Sequence, residues 1–517
     1  MSLCRTSRNI MSSCVLIKVF QRVLCLLCFA FALVAIASAI AFASPTSRVR
    51  FEGSEYPVIT APDINRKTNM VKVGTVNELT KAVSNAKPGD SIYILPGVYK
   101  LTEIKNQEEQ NYKQRNNLIF SNVNDVLIRS STGNPKDVII KGSGFHKTLA
   151  GPSQYIPQAL DILFSVGQGA YGISFYGLTI EDSNAYGIYL KGEHNVHDIL
   201  IQNCKFNNVN QYALKGSFSY DPESSARTSN VYVIDNEFYA TALPLVSDHF
   251  AEFKGNYIGA IDIMVLENAV IADNVIRDIH GASGEALGAT LLWNSCKNII
   301  YERNLIYDCD QGVAFGNSVP PVYSKTANYH VKNGIFRNNV VSNCSWDLFE
   351  ICYNENTRVY NNTLVRTDSY NAQTQRGIRD SVGTSHNVEI KNNIIRRGML
   401  ENIAGGKRGY SVENNLISDD LSISYFVDAE NHDFRLTKNA VDAIGKALRL
   451  PEVYNDFDLR LRTSSPDLGA FEYSAAAPPP GFGGMLSLHW IIYITGGLAV
   501  SAAGGIILKL NFDRKRA

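Results

Sequence analysis

The sequence predicts an all-β solenoid, a chain wound into stacked coils of short strands, and three observations predict it. First, eight stretches between Ile199 and Ile417 repeat one pattern, an apolar pair followed by Asn and another β-branched or aromatic residue, as in VYVIDNEF (Val231–Phe238), AVIADNVI (Ala269–Ile276) and VEIKNNII (Val388–Ile395). Second, the asparagines they share, Asn203, Asn236, Asn274, Asn304, Asn339, Asn362, Asn393 and Asn415, recur at gaps of 33, 38, 30, 35, 23, 31 and 22 residues, the spacing of a repeat architecture. Third, these stretches lack helical periodicity, and a lone short strand cannot bury its apolar face, so the units must stack on one another. An Asn at a fixed place in each coil can turn inward at a bend and bond to its neighbours above and below, satisfying backbone groups that a tight turn leaves unpaired. The column reads as structural.

The chain opens with Arg5, Arg8, Lys18 and Arg22, no acidic residue, and then an apolar stretch from Val23 to about Ala43. That pattern predicts a secretory signal over residues 1–43, with Ala41-Phe42-Ala43 before Ser44 as the cleavage site and an uncleaved signal anchor as the alternative. Cys4, Cys14, Cys25 and Cys28 fall inside it. An N-terminal extension over 44–69 precedes the coils. Residues 75–86 (TVNELTKAVSNA) carry Val76, Leu79, Ala82 and Val83 at helical spacing, with Thr75 as N-cap and Glu78 three residues later, which predicts a short helix capping the stack. Lys87-Pro88-Gly89-Asp90 then turns into a strand over Ser91–Leu95, and Pro96-Gly97-Val98-Tyr99 turns again. Coils continue through 117–129, 138–142, 172–180 and 187–190 before the eight marked repeats.

Residues 474–485 are a Pro/Gly linker, AAAPPPGFGG at their centre, and Leu486–Leu508 is an uncharged run followed by Lys509, Arg514, Lys515 and Arg516. This predicts a transmembrane helix over 486–508 and a basic cytoplasmic tail over 509–517, placing the solenoid outside the cytoplasm on a single-pass membrane protein. A tail that ends in charges does not fit a GPI signal. The first 43 residues hold four basic and no acidic side chains and the stretch from Leu486 on holds four and one, so the 49 basic and 49 acidic residues of the whole chain leave 41 against 48 between them. An acidic ectodomain of this kind is a poor binder of nucleic acid, and an anionic substrate would need a local basic groove or a bridging cation. The five cysteines left there, Cys204, Cys296, Cys309, Cys344 and Cys352, allow at most two disulfides, with free thiols the alternative. Two glycosylation sequons begin at Asn343 and Asn361.

Two segments carry a resemblance. AVSNAKPGDSIYILPGVYK (Ala82–Lys100) resembles the opening of right-handed parallel β-helix proteins such as the pectate-lyase-like, alginate-lyase and chondroitinase-B-like enzymes. YFVDAENHDFRL (Tyr425–Leu436) and SPDLGAFEY (Ser465–Tyr473) resemble the ending common among bacterial-type members. The likeness spans roughly residues 70–473 and implies a right-handed single-stranded parallel β-helix. YIGAID (Tyr257–Asp262), GATLLWNS (Gly288–Ser295) and YERNLIYDCDQGVAFG (Tyr301–Gly316) resemble an uncharacterised branch of these proteins, which implies the fold and no particular reaction.

In such folds an extended sugar chain lies on the outer face of one sheet between long loops, so inter-coil insertions mark the place to look. Three stand out, 145–160, 216–230 and 281–288, while 317–329, with Pro320-Pro321, reads as a plain surface loop. Uronate lyases neutralise a carboxylate, abstract a proton and protonate a leaving oxygen, which calls for cationic groups and a base close together. The catalytic candidates are Lys215, Arg227, His280 and Glu285, with His249 and Lys254 as further basic residues. Ca²⁺ would suit carboxylates such as Asp262 and Glu267, with Asp235 and Glu237 as further ligand candidates. Three departures weigh against a specific enzyme. The coil Val231–Phe238 runs into YATALPL with neither the acidic pair nor the lysine of the alginate-lyase pattern, Asp419-Asp420 lacks the pectin-hydrolase surroundings, and His280-Gly281 lacks the preceding glycine. The sequence therefore predicts a polysaccharide-binding or polysaccharide-modifying protein, by lyase or epimerase chemistry if it is an enzyme. A non-enzymatic adhesin-like or scaffolding solenoid is the alternative.

Overall fold

A computed structural model describes residues 50–51, 54–55, 64–104, 114–115, 117–144, 160–221, 223–244, 255–321, 328–403 and 409–475. The predicted signal, membrane span and basic tail, and the candidates His249 and Lys254, lie outside them. Among the described residues no helix is long and apolar enough to cross a membrane. The chain divides at Thr60. In the first unit Arg50–Phe51 pairs antiparallel with Ser54–Glu55. The rest is the second unit.

The second unit is a parallel β-helix. Its coils contribute one strand each to three parallel sheets, which among the described residues have 11, 13 and 11 strands and are called here sheets I, II and III. One coil shows the path: Gly259–Met264 lies in sheet I, Leu266–Ala272 in sheet II and Val275–Arg277 in sheet III, and Thr290–Trp293 returns to sheet I beside Gly259–Met264. Registers hold from coil to coil, so each inward position becomes a row. Ile201, Val233, Ile271, Tyr301, Phe336, Val359 and Ile390 pair in succession along sheet II, and all are buried. Phe336 and Phe349 stack with centroids 4.0 Å apart, as do Phe206 and Phe238 at 4.7 Å. Buried β-branched and aromatic side chains repeated without a gap supply the apolar area that single strands lack.

Each turn from sheet II to sheet III has two residues, from Gly177-Leu178 to Asn414-Asn415. The first takes positive φ, from Asn203 (52°) and Asp235 (57°) to Asn392 (61°), a region where Asn and Asp are the least strained side chains after glycine. The second, after Leu178 and Cys204, is an Asn, buried from Asn236 to Asn393. Asn304 Oδ1 accepts from the Asn274 backbone N–H (3.0 Å) and Nδ2 (2.9 Å), its own Nδ2 reaches Ile271 O (2.9 Å), and Asn339 repeats the set one coil on. The chain of bonds runs through Asn236, Asn274, Asn304, Asn339, Asn362, Asn393 and Asn415. Asn203 is not in it. It takes the positive-φ place and bonds to Gly133 O, while Cys204 holds the ladder position, donating its N–H to Asn236 Oδ1 (2.9 Å). The strands of ILIQNCKF keep register with the next copy, and only its Asn stands one residue earlier, in the place that Asp235 takes there.

A second asparagine column runs along the other edge of sheet II. Asn230, Asn268, Asn298, Asn333, Asn356 and Asn387 each sit at positive φ and each donates its Nδ2 to the residue one coil back, beginning with Asp198. Its sequence signal is an Asn six residues before each ladder Asn from Asn236 to Asn393.

The residues predicted to be helical form one, Val76–Ser84, with the expected capping box: Thr75 Oγ1 accepts from Glu78 N–H while Glu78 accepts from Gly74 and Thr75 N–H. Val76, Leu79 and Val83 join the main core. At the other end, Phe426–Asp428 pairs antiparallel with Asp433–Leu436, and the chain beyond lies along the II–III corner, where Asn338, Asn361 and Asn392 donate to the carbonyls of Asn455, Asp467 and Leu448. Beneath it Glu302, Arg303 and Arg337, all nearly inaccessible, form an Arg–Glu–Arg triad with N···O distances of 2.6 Å. All five described cysteines are buried and free. The sequon asparagines Asn343 and Asn361 are buried, which closes both to glycosylation in the folded chain.

Candidate functional site on the outer face of sheet I

The three corners of a coil are not alike. From Gly177 on every II–III turn has two residues, after an earlier connection, 131–137, that is longer and carries the 3-10 turn Pro135–Asp137, whereas the segments that flank sheet I differ widely in length: 142–159, 240–258, 278–289 and 366–375 precede its strands and 217–227 and 316–330 follow them. Parts of the first, second and last of the ranges 142–159, 240–258 and 316–330 lie outside the described residues. Two flanking segments escaped the sequence reading: 240–258, which the 38-residue gap between Asn236 and Asn274 signals, and 366–375. Residues 317–329 follow a strand of sheet I, Ser318 to Pro320 are exposed, and Val319 O meets His330 Nε2 at 2.7 Å. Insertions concentrated around one sheet of a solenoid mark its functional face.

The outward row of sheet I runs Ser165, Tyr189, Lys215, Asp262, Leu291 and Ala314, then Glu350, Arg379 and Glu401. Aromatic side chains gather beside its first half. Tyr186 and Tyr212 are buried with Ile162 and Ala185 in a cluster outside the main core, against which Tyr189 and Tyr257 pack. Tyr212 and Tyr257 meet edge to face at 5.0 Å. Phe218 and Trp293 pack with Met264 and Val265, and Tyr220 tilts onto Phe218 at 4.7 Å while 79% exposed.

Lys215 and Asp262, direct register partners, form an ion pair in the middle of this aromatic group. Lys215 Nζ also donates to Tyr257 Oη (3.1 Å), and Trp293 Nε1 donates to Asp262 Oδ1 (2.9 Å). Burial alone would lower the pKa of Lys215, but the Asp262 carboxylate reverses this and holds the ammonium above its ordinary range. Burial pushes the phenols of Tyr186, Tyr212 and Tyr257 well up. Lys215 is thus a fixed cation at neutral pH and not a base.

The second half of the row is an ion-pair network. Arg379 lies 3.1 Å from Asp347, 4.0 Å from Glu350 and 3.5 Å from Glu401, and Arg376 bonds Glu401 at 2.8 Å. Asp347 is pushed up to about 6 by burial and by Glu350, against the pull of Arg379. Its buried Oδ1 accepts no hydrogen bond, with Arg376 Nε 3.9 Å away.

The other sequence candidates form two further groups on the flanks. His280 Nδ1 meets Asp310 Oδ1 at 2.8 Å, and Asp310 Oδ2 accepts from the backbone N–H of Gly281 (2.7 Å) and Ala286 (3.0 Å), so one carboxylate clamps both ends of the glycine-rich loop. Trp346 Nε1 secures Gly284 O, and Glu285 is held by Ser283 Oγ (3.2 Å). The bond to Asp310 raises the pKa of His280, with burial opposing it. Asp310 is the residue sequence reasoning missed; its signal is its place thirty residues after His280 in the next coil. Arg227 and Glu267 pair at 3.0 Å, Glu267 also holding Lys297 at 2.9 Å, at the I–II corner.

Asp262 and Glu267 therefore lie on different sheets, each against its own cations. Among the described residues no group of three or more His, Cys, Asp or Glu is placed to hold a metal ion. Glu237 sits in sheet III between Lys205 and Arg277, and Asp235 at the II–III corner, both away from this face.

No family model matches the chain, and no curated protein matches it. Among solved structures it is similar to pectate lyase Pel9A (14% identity, 78% of this chain and 96% of that one, TM-score 0.44). It is also similar to the A-module of the mannuronan C-5 epimerase AlgE6 of Azotobacter vinelandii (9%, 66% and 94%, 0.40) and to an alginate lyase from Paenibacillus (13%, 68% and 96%, 0.32). The fold stands on the strand registers above.

Proposed function

We propose that the chain is a membrane-anchored, extracytoplasmic β-helix protein, right-handed in its winding and capped by the helix Val76–Ser84, that binds polysaccharide along the outer face of sheet I. One observation carries the reading: the sheet flanked by long segments on both sides is also the one whose outer face gathers tyrosines and a tryptophan beside polar groups. Rigid amphipathic rings offer apolar faces to sugar C–H surfaces and polar rims to hydroxyls. The sequence patterns of residues 1–43 and 486–508 support the anchoring. The polysaccharide lyase and epimerase names among the solved structures concern those proteins and add no weight here.

If the bound polymer is also modified by lyase or epimerase chemistry, His280 is the proton-transfer group, its ring oriented by Asp310 and partly open to solvent. Lys215 does not serve, because its proton is held. A calcium requirement belongs to this reaction alone.

The test is the purified full-length chain in mild detergent against an array of polysaccharides, with and without calcium, following retention on the polymer and the ultraviolet absorbance of unsaturated uronate products. Retention on one polymer class supports binding, and rising absorbance establishes a lyase. Silence in both channels overturns the reading in favour of an adhesin-like or scaffolding solenoid. Protease protection of the tail in intact cells, with digestion of the β-helix from outside, checks the orientation.

A further inference from the structure

The charges on the face of sheet I are spent on one another. Lys215 is about as inaccessible as the Asp262 it pairs with, so a ligand carboxylate drawn to its ammonium would leave Asp262 buried without a counter-charge. Arg379 serves Asp347, Glu350 and Glu401 together, and Arg376 shares the last of these. At the rim Arg227 is held by Glu267, and Lys191 lies 5.8 Å over the Tyr189 ring. Along the row and beside it four carboxylates, Asp262, Asp347, Glu350 and Glu401, stand against three cations, Lys215, Arg376 and Arg379. One of the four, Asp347, is already raised toward neutrality by burial and then by the neighbouring Glu350. A polyuronate brings a carboxylate on every sugar. On this face each would meet acids in excess and cations already engaged, which costs association energy without return.

Resting on the polysaccharide reading above, we infer that the ligand is a neutral polysaccharide, held by ring stacking on the aromatic half of the face and by hydroxyl hydrogen bonds to its charged half, and that polyuronates are excluded. The buried Lys215–Asp262 pair then serves as a neutral support beneath the aromatic rings, its geometry fixed by Tyr257 and Trp293.

Affinity electrophoresis of the full-length chain in gels containing a neutral polymer (β-glucan, xylan or galactomannan), a polyuronate (pectate or alginate) or an amino-sugar polymer (chitosan) tests this at low and physiological salt. The expected result is retardation by a neutral polymer that salt leaves unchanged, with polyuronate binding at least about tenfold weaker. Polyuronate binding that salt abolishes overturns the inference and leaves the polysaccharide reading standing. A preference for chitosan also overturns it, in favour of a cationic ligand. Retardation by none overturns both. Asp262→Asn releases Lys215, and a folded variant is expected to gain polyuronate binding. Polyuronate binding equally absent from that variant removes the ion pair as the cause of exclusion.

Discussion

The II–III corner and the face of sheet I are built from the same coils, yet from Asp235 to Asn415 the one repeats a single turn while the other changes from coil to coil. At the corner a two-residue turn leaves backbone donors and acceptors inside the stack, and from Asp235 on a positive-φ residue followed by Asn satisfies them. Each Asn bonds to the coil before and the coil after, so an insertion there would break two coils. On sheet I the chain leaves the stack at strand ends, where backbone groups reach solvent, and an insertion disturbs its own coil alone. The difference separates what holds the solenoid together from what it is free to use.

The largest expected effect comes from breaking the corner. Glu302→Ala takes the carboxylate from Arg337 beneath the C-terminal segment and leaves Arg303 to Asp273, and loss of one partner in a buried ion cluster costs about 3–5 kcal/mol. Burial alone would raise the Glu302 pKa, but the two arginines hold it low, so the same support disappears in acid as that carboxylate protonates. Urea denaturation of wild type and variant measures the cost, and a loss below about 1 kcal/mol would show that the corner does not depend on the triad. Asn304→Ala is next. It removes the acceptor of Asn274 N–H and Nδ2 and the donor to Ile271 O, a loss of roughly 2–4 kcal/mol at about 1–3 per buried group left unmade. The urea midpoint should fall while the slope stays unchanged.

Much of the corner was legible in the sequence because its chemistry is local. A turn that demands positive φ and then a buried amide admits few residues, so the Asn column showed itself in the repeats. It misled only where Asn203 stands beside Cys204, since a single Asn does not say which of the two turn positions it fills. The second column went unread although its spacing is equally regular, because an Asn at a strand entrance looks like ordinary turn composition. The face of sheet I was less legible. Lys215 and Asp262 were found by residue type, but their pairing follows from registration across 47 residues and an insertion of its own. The tyrosines carry no pattern that sets them apart from ordinary strand residues, and Asp310 enters only through its bonds to a loop in the preceding coil. Pattern within a coil reports packing, whereas a site between coils depends on register, which insertions of variable length conceal.

Asp235 sharpens the comparison from inside the corner. Burial, and then the charge of Asp273, raise its carboxyl to about 7. The folded chain binds this proton more tightly than an unfolded chain, whose carboxylates titrate near about 4, so the group's contribution to stability is full below that range and declines as pH rises toward 7. Asp235→Asn keeps the positive-φ preference and removes the titration. Urea midpoints measured across that window should fall less steeply for the variant than for wild type. Parallel curves would mean that the carboxyl is ionised without penalty and that the corner tolerates charge.

The smallest effect on stability is expected at Tyr220, and it is the most informative about function. The ring is 79% exposed on the segment 217–227, close enough to Tyr189 and Tyr257 to act on their phenols, and it belongs to no core row. Surface truncation of this kind changes stability by no more than about 0.5 kcal/mol. If the flanks of sheet I exist for a ligand, Tyr220→Ala should unfold at the same urea concentration as wild type yet lose retention on the polysaccharide that wild type binds. A variant that binds normally would move the ligand off the aromatic half of the face. One that unfolds early would show that the segments around sheet I serve the stack after all, and the contrast between corner and face would fail.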